Sequence, residues 1–459
     1  MQFWSDKQVL VIGAARQGIA LARYLALLGA RVIINDQRLL EQLADARLAL
    51  VNLPVTWACG GHPLELLEGT DLVCPSGGVP LTLPLIVEAQ RRGIPLSNDS
   101  QVFLEICPCP TIGITGSAGK TTTTTLVGRM VAQARGEEHT WVGGNIGSPL
   151  LSMVDEMSPD DLAVIELSSF QLEIMTRSVW VAAVLNITPN HLDRHGTMEA
   201  YHSAKARLIT QQSADGCAVL GRDDPGAWSL AGEVRGRLFS FGMDRPPAGM
   251  RGAYLDGEVV SVWDGQATQA VLPRRNILLR GEHNLQNVLA ACAVADAAGL
   301  PVEAMRAAVE GFRGVPHRLE WVRTWNGAAW YNDSIATAPE RAMAAIRSFS
   351  EPIVLLAGGR DKKLPWDDFA ALVHQRVDHL LLFGEAAELV RRAIGEVEAA
   401  RRPYTLEVCE TLEQAVQAAA RVAAAGDVVL LSPGGTSFDE FRDFEARGEA
   451  YTKWVLELV

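Results

Sequence analysis

The stretch GITGSAGKTTTTTL at 113–126 constrains this chain more than any other. The apolar run TIGIT ahead of it reads as a strand, and a helix is expected from about Lys120. A strand that ends in a tight glycine turn and restarts as a helix aims several backbone N–H groups and the positive end of the helix at one point. That is an anion site, and α/β sheets are where it is built. The full phosphate-loop pattern wants a glycine where this chain has Ile114. The loop is therefore a short form: Gly116, Ser117, Ala118, Gly119, Lys120, Thr121, Thr122. Lys120 offers a charge to the β- and γ-phosphates of a nucleotide, and Thr121 a hydroxyl to Mg²⁺. The competing reading is a glycine turn beside a solvated lysine. Thr121 to Thr125 are poor helix formers, costing up to roughly 0.5 kcal/mol each against alanine. Only Thr121 carries a clear metal role.

With 459 residues, the chain has room for about three domains. A formal charge of -13 and an isoelectric point near 5.3 argue against a nucleic-acid partner, which favours a basic face. The seven cysteines show no CxxC pair and no zinc spacing, as expected of reduced thiols in a cytosolic protein. MQFWSDKQVLVIG runs straight into an apolar strand with no basic region before it, and no apolar run approaches the roughly 18 residues of a membrane helix. The expectation is a soluble cytoplasmic enzyme, monomeric, with no membrane partner.

Three α/β series follow one another. In the first, Gln8–Gly13, Arg31–Asn35, Asp71–Cys74 and Ile94–Leu96 read as strands and Gly18–Leu28 as a helix. This βαβ rhythm implies a parallel sheet. The proline-punctuated Cys107–Pro110 (CPCP) marks a linker. The second series has strands at 162–167 and 179–187, a helix at 198–209, a short antiparallel patch within 235–280 and an alanine-rich helix at 284–298. The third has strands at 353–356, 379–383 and 428–431. The expected domains are 1–108 (Rossmann-like), 109–312 (a central ATPase-type parallel sheet) and 313–459 (Rossmann-like α/β).

Glu166 closes the apolar strand LAVIE, at the sheet edge where open α/β sheets bind ligands. A carboxylate there calls for a cation, which makes it a Mg²⁺ candidate; the alternative is an edge carboxylate in water. His191, Asp193 and His195 share one loop, and Lys205 follows on a helix. With no cysteine nearby and no HxxxH pair, metal-assisted phosphoryl chemistry fits this set better than structural zinc.

Taken together, GSAGKTT, GGNIG (143–147), ELSSFQLE (166–173), NITPNHLDRH (186–195), Lys205, GEHNLQNVLAA (281–291), PHRLE (316–320), NDS (332–334) and LSPGGTSFDEFRDFEARG (431–448) resemble the Mur ligase superfamily. These are ATP-dependent ligases that add amino acids to the peptidoglycan precursor. ELSSFQLE and SFDEF…FEARG resemble its glutamate-adding branch. The resemblance implies ATP and two Mg²⁺ ions as cofactors, with UDP-N-acetylmuramoyl-L-alanine and glutamate as substrates. Lys120, Glu166, His191 and Lys205 would be catalytic. Thr121, Glu166, His191 and a carbamylated Lys205 would hold metal: an ammonium would repel the ion, whereas a carbamate is an anionic ligand. Asn284, Asn287, Arg318 and Asp333 would join the phosphate loop in holding ATP. Arg16, Gln17, Asp36, Ser76, Asn145, Ser168 and Gln171 would hold the UDP substrate, and Thr337, Lys362, Ser437 and Phe444 the incoming glutamate. By itself, Gly13–Gly18 (GAARQG), with Ala15 at the second glycine of GxGxxG, suggests NAD; the resemblance assigns the first domain to UDP instead. It also implies an acyl-phosphate intermediate, with closure of the third domain excluding water.

Three positions depart from the family pattern. Asn190 stands where an acid usually precedes the histidine, Ala118 replaces a common asparagine, and Ile335 replaces a common lysine. Ile335 leaves open whether D- or L-glutamate is added. A folylpolyglutamate-synthase-like ligase is the more distant alternative, and the Arg16/Gln17/Asp36 domain argues against it.

Overall fold

The computed structural model describes residues 4–362, 364–398 and 400–459. Three sheets organise it. β1 (Gln8–Ile12), β2 (Arg31–Asp36), β3 (Val55–Cys59) and β4 (Leu72–Pro75) form a parallel sheet in the order β3-β2-β1-β4. After Gln8, β1 is apolar because both its faces are covered. Val9 and Val11 pack towards the helix Arg16–Leu27, and Leu10 and Ile12 towards the helix Pro84–Arg91. That first helix lies tight against the sheet only because residue 18 is glycine: a Cβ there would sit 2.0 Å from the Gly13 carbonyl oxygen.

The second sheet has nine strands: β5 (Thr111–Thr115), β6 (Thr140–Gly144), β7 (Leu162–Glu166), β8 (Val181–Val184), β9 (Cys217–Gly221), β10 (Arg237–Phe241), β11 (Arg251–Asp256), β12 (Val259–Trp263) and β13 (Thr268–Pro273). From β6 through β7, β5, β8, β9 and β10 to β11 the pairing is parallel, and β12 and β13 add on antiparallel. The chain order reverses beside β5, which has β7 on one side and β8 on the other. A ligand crevice opens outside the carboxyl ends of strands at such a point. The helix Lys120–Arg135 leaves from there.

The third sheet, in the order β14-β15-β19-β16-β17-β18, uses Glu320–Trp325, Ala328–Asn332, Val428–Gly434, Ile353–Gly358, Val377–Phe383 and Thr405–Cys409. β14 is its antiparallel edge. One face packs on Trp366, Phe369 and Val390, the other on Leu412, Val416 and Tyr451. The chain divides into two compact units. One ends at Gly311 and carries the first two sheets; the other comprises Leu279–Gly281 and Phe312–Val459.

The fold is thus mixed α/β and rich in parallel sheet, with three domains. Two strand expectations need correcting. Ile94–Leu96 makes only an isolated bridge, Val73 to Leu96, because Pro95 has no N–H for the ladder. The strand expected at 179–187 is confined to Val181–Val184: beyond it, Asn186 turns to the phosphate loop, its carbonyl accepting from Ser117 N–H at 3.0 Å.

Candidate active site

The phosphate loop joins β5 to the helix Lys120–Arg135, as its sequence requires. Gly119 takes φ 84°, a left-handed conformation that glycine adopts without cost. A Cβ there would also lie 2.2 Å from Asn287 Oδ1, so the start of the helix Glu282–Ala297 rests directly on the loop. Asn186 braces the same loop, its Oδ1 accepting from Ala118 N–H at 2.8 Å. Lys120 Nζ donates to the Gly116 carbonyl at 2.8 Å, and Lys205 Nζ to that same oxygen at 2.9 Å.

Lys205 is 1 % exposed. It stands over the Tyr201 ring and also reaches Thr115 Oγ1, at 3.3 Å. Burial, then the charge of Lys120, pulls its amine down to about 6, with Glu166 opposing. Glu166, 2 % exposed, ends β7 opposite Ile114 of β5. Its Oε1 accepts from Asn145 Nδ2 at 2.9 Å, while its Oε2 is buried without a hydrogen-bond partner. A buried carboxylate oxygen without a hydrogen-bond partner is the group a divalent cation takes up.

His191 sits in left-handed backbone (φ 53°) at the start of the short turn Leu192–His195. Burial first, and then Lys120, favours its neutral, metal-ligating form. Asn190 before it is exposed, and Asp193 is the carboxylate that opposes this shift. Phe170 organises the loop: its ring meets His191 at 5.1 Å, stacks on His195 at 5.2 Å and carries Arg194 4.1 Å above its centre. Arg194 in turn donates to the carbonyls of Gly77, Gly78 and Val79, joining this loop to the first domain.

The proposed UDP residues divide into groups. Arg16 reaches the Gly147 carbonyl at 3.2 Å and Gln17 that of Gly144 at 3.5 Å, so both face the loop that carries Asn145. Ser76 Oγ donates to Gly13 O at 3.1 Å. The Asp36 carboxylate is already engaged by Ala14 N–H and by the Arg38 guanidinium, which holds it well below the usual carboxylate range. Ser168 and Gln171 form a capping box at the start of the turn Ser169–Leu172. Gln171 is buried and also bonds Ser100 Oγ at 2.8 Å. Their side chains thus shape the loop after β7.

Beside the phosphate loop lies a cavity of about 300 Å³. Ala118, Gly119, Leu185, Phe241, His283 and Asn287 line it, along with Asp223, Asp224 and Gln286. Leu185 and Phe241 supply apolar surface and Gln286, Asp223 and Asp224 supply polar edges, a composition suited to a nucleobase. Leu185, Phe241, His283 and Gln286 were not anticipated. The available signal was the spacing of His283, Gln286 and Asn287, which puts them along one side of a helix.

In the second unit, Lys362 Nζ donates to Thr337 Oγ1 at 3.1 Å. Burial, Arg341 and Arg447 all depress the Lys362 ammonium, so this corner is rich in cations. Arg447, fully buried, bonds Ser334 and the Gly435 carbonyl, and burial lowers it to about 10. Ser437 is 2 % exposed, and Phe444 starts the helix Phe444–Glu457 with its carbonyl taken by Ser334 Oγ. Ile335 donates its N–H to the His317 carbonyl, and its own carbonyl accepts from Thr337 N–H. Burial raises the Asp333 carboxyl to about 7, against the hydrogen bonds it accepts from Ser432 Oγ and Leu319 N–H, which pull it down. Arg318 belongs to this unit as well.

Residues 7–98 match the Mur ligase MurD-like N-terminal domain, 114–295 the Mur ligase middle domain, and 317–435 the Mur ligase glutamate ligase domain. The chain is 41 % identical to a UDP-N-acetylmuramoylalanine–D-glutamate ligase of Symbiobacterium thermophilum, over 98 % of each chain. The chain belongs to the Mur ligase family. To the D-glutamate ligase of Pelotomaculum thermopropionicum this Mur ligase is 40 % identical, covering 99 % of its own length and 98 % of the relative's. Two solved Mur ligases share its fold. One is the UDP-N-acetylmuramate-alanine ligase MurC of Thermotoga maritima (TM-score 0.54, 19 % identity, 98 % and 99 % covered). The other is MurF of Acinetobacter baumannii (TM-score 0.56, 17 % identity, 100 % and 92 % covered).

Proposed function

We propose that this Mur ligase joins D-glutamate to UDP-N-acetylmuramoyl-L-alanine at the expense of ATP, as a cytoplasmic step of peptidoglycan precursor synthesis. The observation that carries the site assignment is the convergence at the end of β5. There Lys120 and Lys205 share the Gly116 carbonyl, and Glu166 presents a bare buried oxygen alongside.

The residues present fit a bound Mg²⁺. Glu166 Oε2 and Thr121 would hold one ion and His191 and Lys205 a second, with Lys205 as its carbamate. Bound Mg²⁺ supplies offset of the phosphate charge. Near neutral pH the Lys205 amine is largely uncharged, the form that adds carbon dioxide to give a carbamate and release a proton.

Lys120 binds the γ-phosphate where the helix dipole and loop N–H groups also point. An oxygen of the alanine carboxylate attacks the γ-phosphorus, and ADP leaves. The glutamate nitrogen then attacks the acyl carbon of the resulting acyl phosphate; inorganic phosphate departs and the nitrogen gives up a proton. The cationic corner at Lys362 suits an amino acid with two carboxylates, and Thr337, Ser437 and Phe444 would complete its seat. Arg16, Gln17, Asp36, Ser76, Asn145, Ser168 and Gln171 are assigned to the UDP substrate, and Arg38, which holds Asp36, joins them. Asn284, Asn287, Arg318 and Asp333 are assigned to ATP.

The test is phosphate release from ATP with UDP-N-acetylmuramoyl-L-alanine, offering D- or L-glutamate as acceptor. Release with D-glutamate is expected. Release with L-glutamate alone would make Ile335 a specificity residue, and release with neither would overturn the substrate assignment.

A further inference from the structure

Where the first domain hands over to the phosphate-loop strand, the helix Asp99–Ile106 ends at Cys107, whose N–H bonds the Phe103 carbonyl at 2.8 Å. Cys109 follows, 6 % exposed, and then Pro110, whose carbonyl accepts from Ala163 N–H at the start of the central sheet. The two sulfurs lie 3.5 Å apart. Cys107 is half-buried and Cys109 is buried, so a small reagent meets Cys107 first. Pro108 between them fixes one backbone dihedral, which holds the pair close without folding entropy to spend on it. Residues two apart cannot separate their Cα atoms by more than about 7 Å, near the upper end of what a disulfide spans.

We infer that Cys107 and Cys109 are a reactive dithiol that closes to an intramolecular disulfide by exchange with a low-molecular-weight disulfide. The Cys107 thiolate attacks one sulfur of the reagent, whose S–S bond breaks; a mixed disulfide forms and one thiol leaves. The Cys109 thiolate then attacks the Cys107 sulfur and expels the second thiol. In sum, two cysteine thiols lose two electrons and two protons, and one reagent disulfide becomes two thiols. Closing the bond brings the sulfurs from 3.5 Å to about 2.05 Å.

Their surroundings assign the two roles. The hydrogen bond shared with Cys109 pulls the Cys107 thiol down, which favours it as the attacking thiolate. The same bond and burial push Cys109 up, so it reacts second, once Cys107 has been modified. Asp161 opposes ionisation of both, and its charge is spread over bonds from His139, Trp141 and Ser158. Cys74 and Cys292 do not compete: both are fully buried, and burial pushes the Cys292 thiol up to about 12.

The experiment incubates the full-length protein with glutathione disulfide, quenches with acid, blocks remaining thiols with a maleimide after unfolding, and maps the peptides. The expected product has five of its seven cysteines blocked and a 107–109 peptide lacking two hydrogens, which dithiothreitol reverses. Cys109→Ser should trap glutathione on Cys107, and Cys107→Ser should take up none at Cys109. A stable glutathione adduct on Cys107 of the unsubstituted protein, a disulfide to any other cysteine, or all seven thiols intact would each overturn the inference.

Discussion

Lys205 shows how little of a residue's chemistry its letter contains. A lysine at 1 % exposure beside another lysine would be costly as an ammonium, and the fold responds by favouring the neutral amine. The sign of the pH effect follows. Between about 6 and the ordinary 10.5 the unfolded chain holds a proton that the folded chain has released, so stability rises with pH across that window. In carbon-dioxide-free buffer, Lys205→Met should flatten this slope, measured by urea unfolding at several pH values. Activity gives a second readout. Lys205→Ala should lower kcat by about a hundredfold or more, as loss of a metal-site group does. Short carboxylic acids should restore part of it; failure of every acid and of bicarbonate to do so would count against the carbamate. Glu166 reads differently. Its place at a strand end was legible in LAVIE, but only packing shows that one oxygen is bonded to Asn145 and the other is bare.

At the scale of elements, two junctions set the site. The first is the approach of the helix Arg16–Leu27 to β1. Gly18→Ala would drive a methyl group into the Gly13 carbonyl, and a loss of about 1–3 kcal/mol is expected from denaturant unfolding. Gly61→Ala, with nothing within 4 Å of a new Cβ, should leave stability within about 0.5 kcal/mol. The second junction is Arg194, which links the His191 loop to the carbonyls at 77–79 of the first domain. Losing charged hydrogen bonds of this kind costs about 1.5–3 kcal/mol. Arg194→Ala should therefore raise KM for the UDP substrate at least roughly tenfold, while KM for ATP stays near its original value. An equal rise in both would show that Arg194 maintains the whole site rather than this junction. Strand existence was readable wherever an apolar run was long. It failed at Pro95, where ladder chemistry overrides hydropathy, and at Leu185–Ile187, where the chain leaves the sheet to brace the phosphate loop.

For the whole molecule, a charge of -13 coexists with local clusters of positive charge: Lys120 stands at the phosphate loop in one unit, and Lys362 with Arg447 in the other. Among the described residues no helix is long and apolar enough to cross a membrane. The two units have separate hydrophobic cores, so heating should not produce a single two-state transition. Scanning calorimetry should resolve more than one transition. A non-hydrolysable ATP analogue at a hundred times its Kd should add about 2.7 kcal/mol to the unit that binds it. A transition belonging to the phosphate-loop unit that does not move would argue against nucleotide binding there.

The sequence alone determined the α/β class, the phosphate loop, the order of the motifs and the family they resemble. Each of these depends on local spacing: glycine where φ is positive, apolar runs where both faces are covered, a lysine where a helix begins. It could not determine how the candidate side chains are held: Asp36 by Arg38, and Ser168 and Gln171 by each other, with Ser100 bonding Gln171 from the first domain. Nor could it show that Lys120 and Lys205 meet on one carbonyl, that Leu185, Phe241, His283 and Gln286 enclose a cavity, or that the Cys107 and Cys109 sulfurs touch. Those depend on side-chain direction, burial and competition for hydrogen bonds, which are fixed only when elements far apart in the chain pack together.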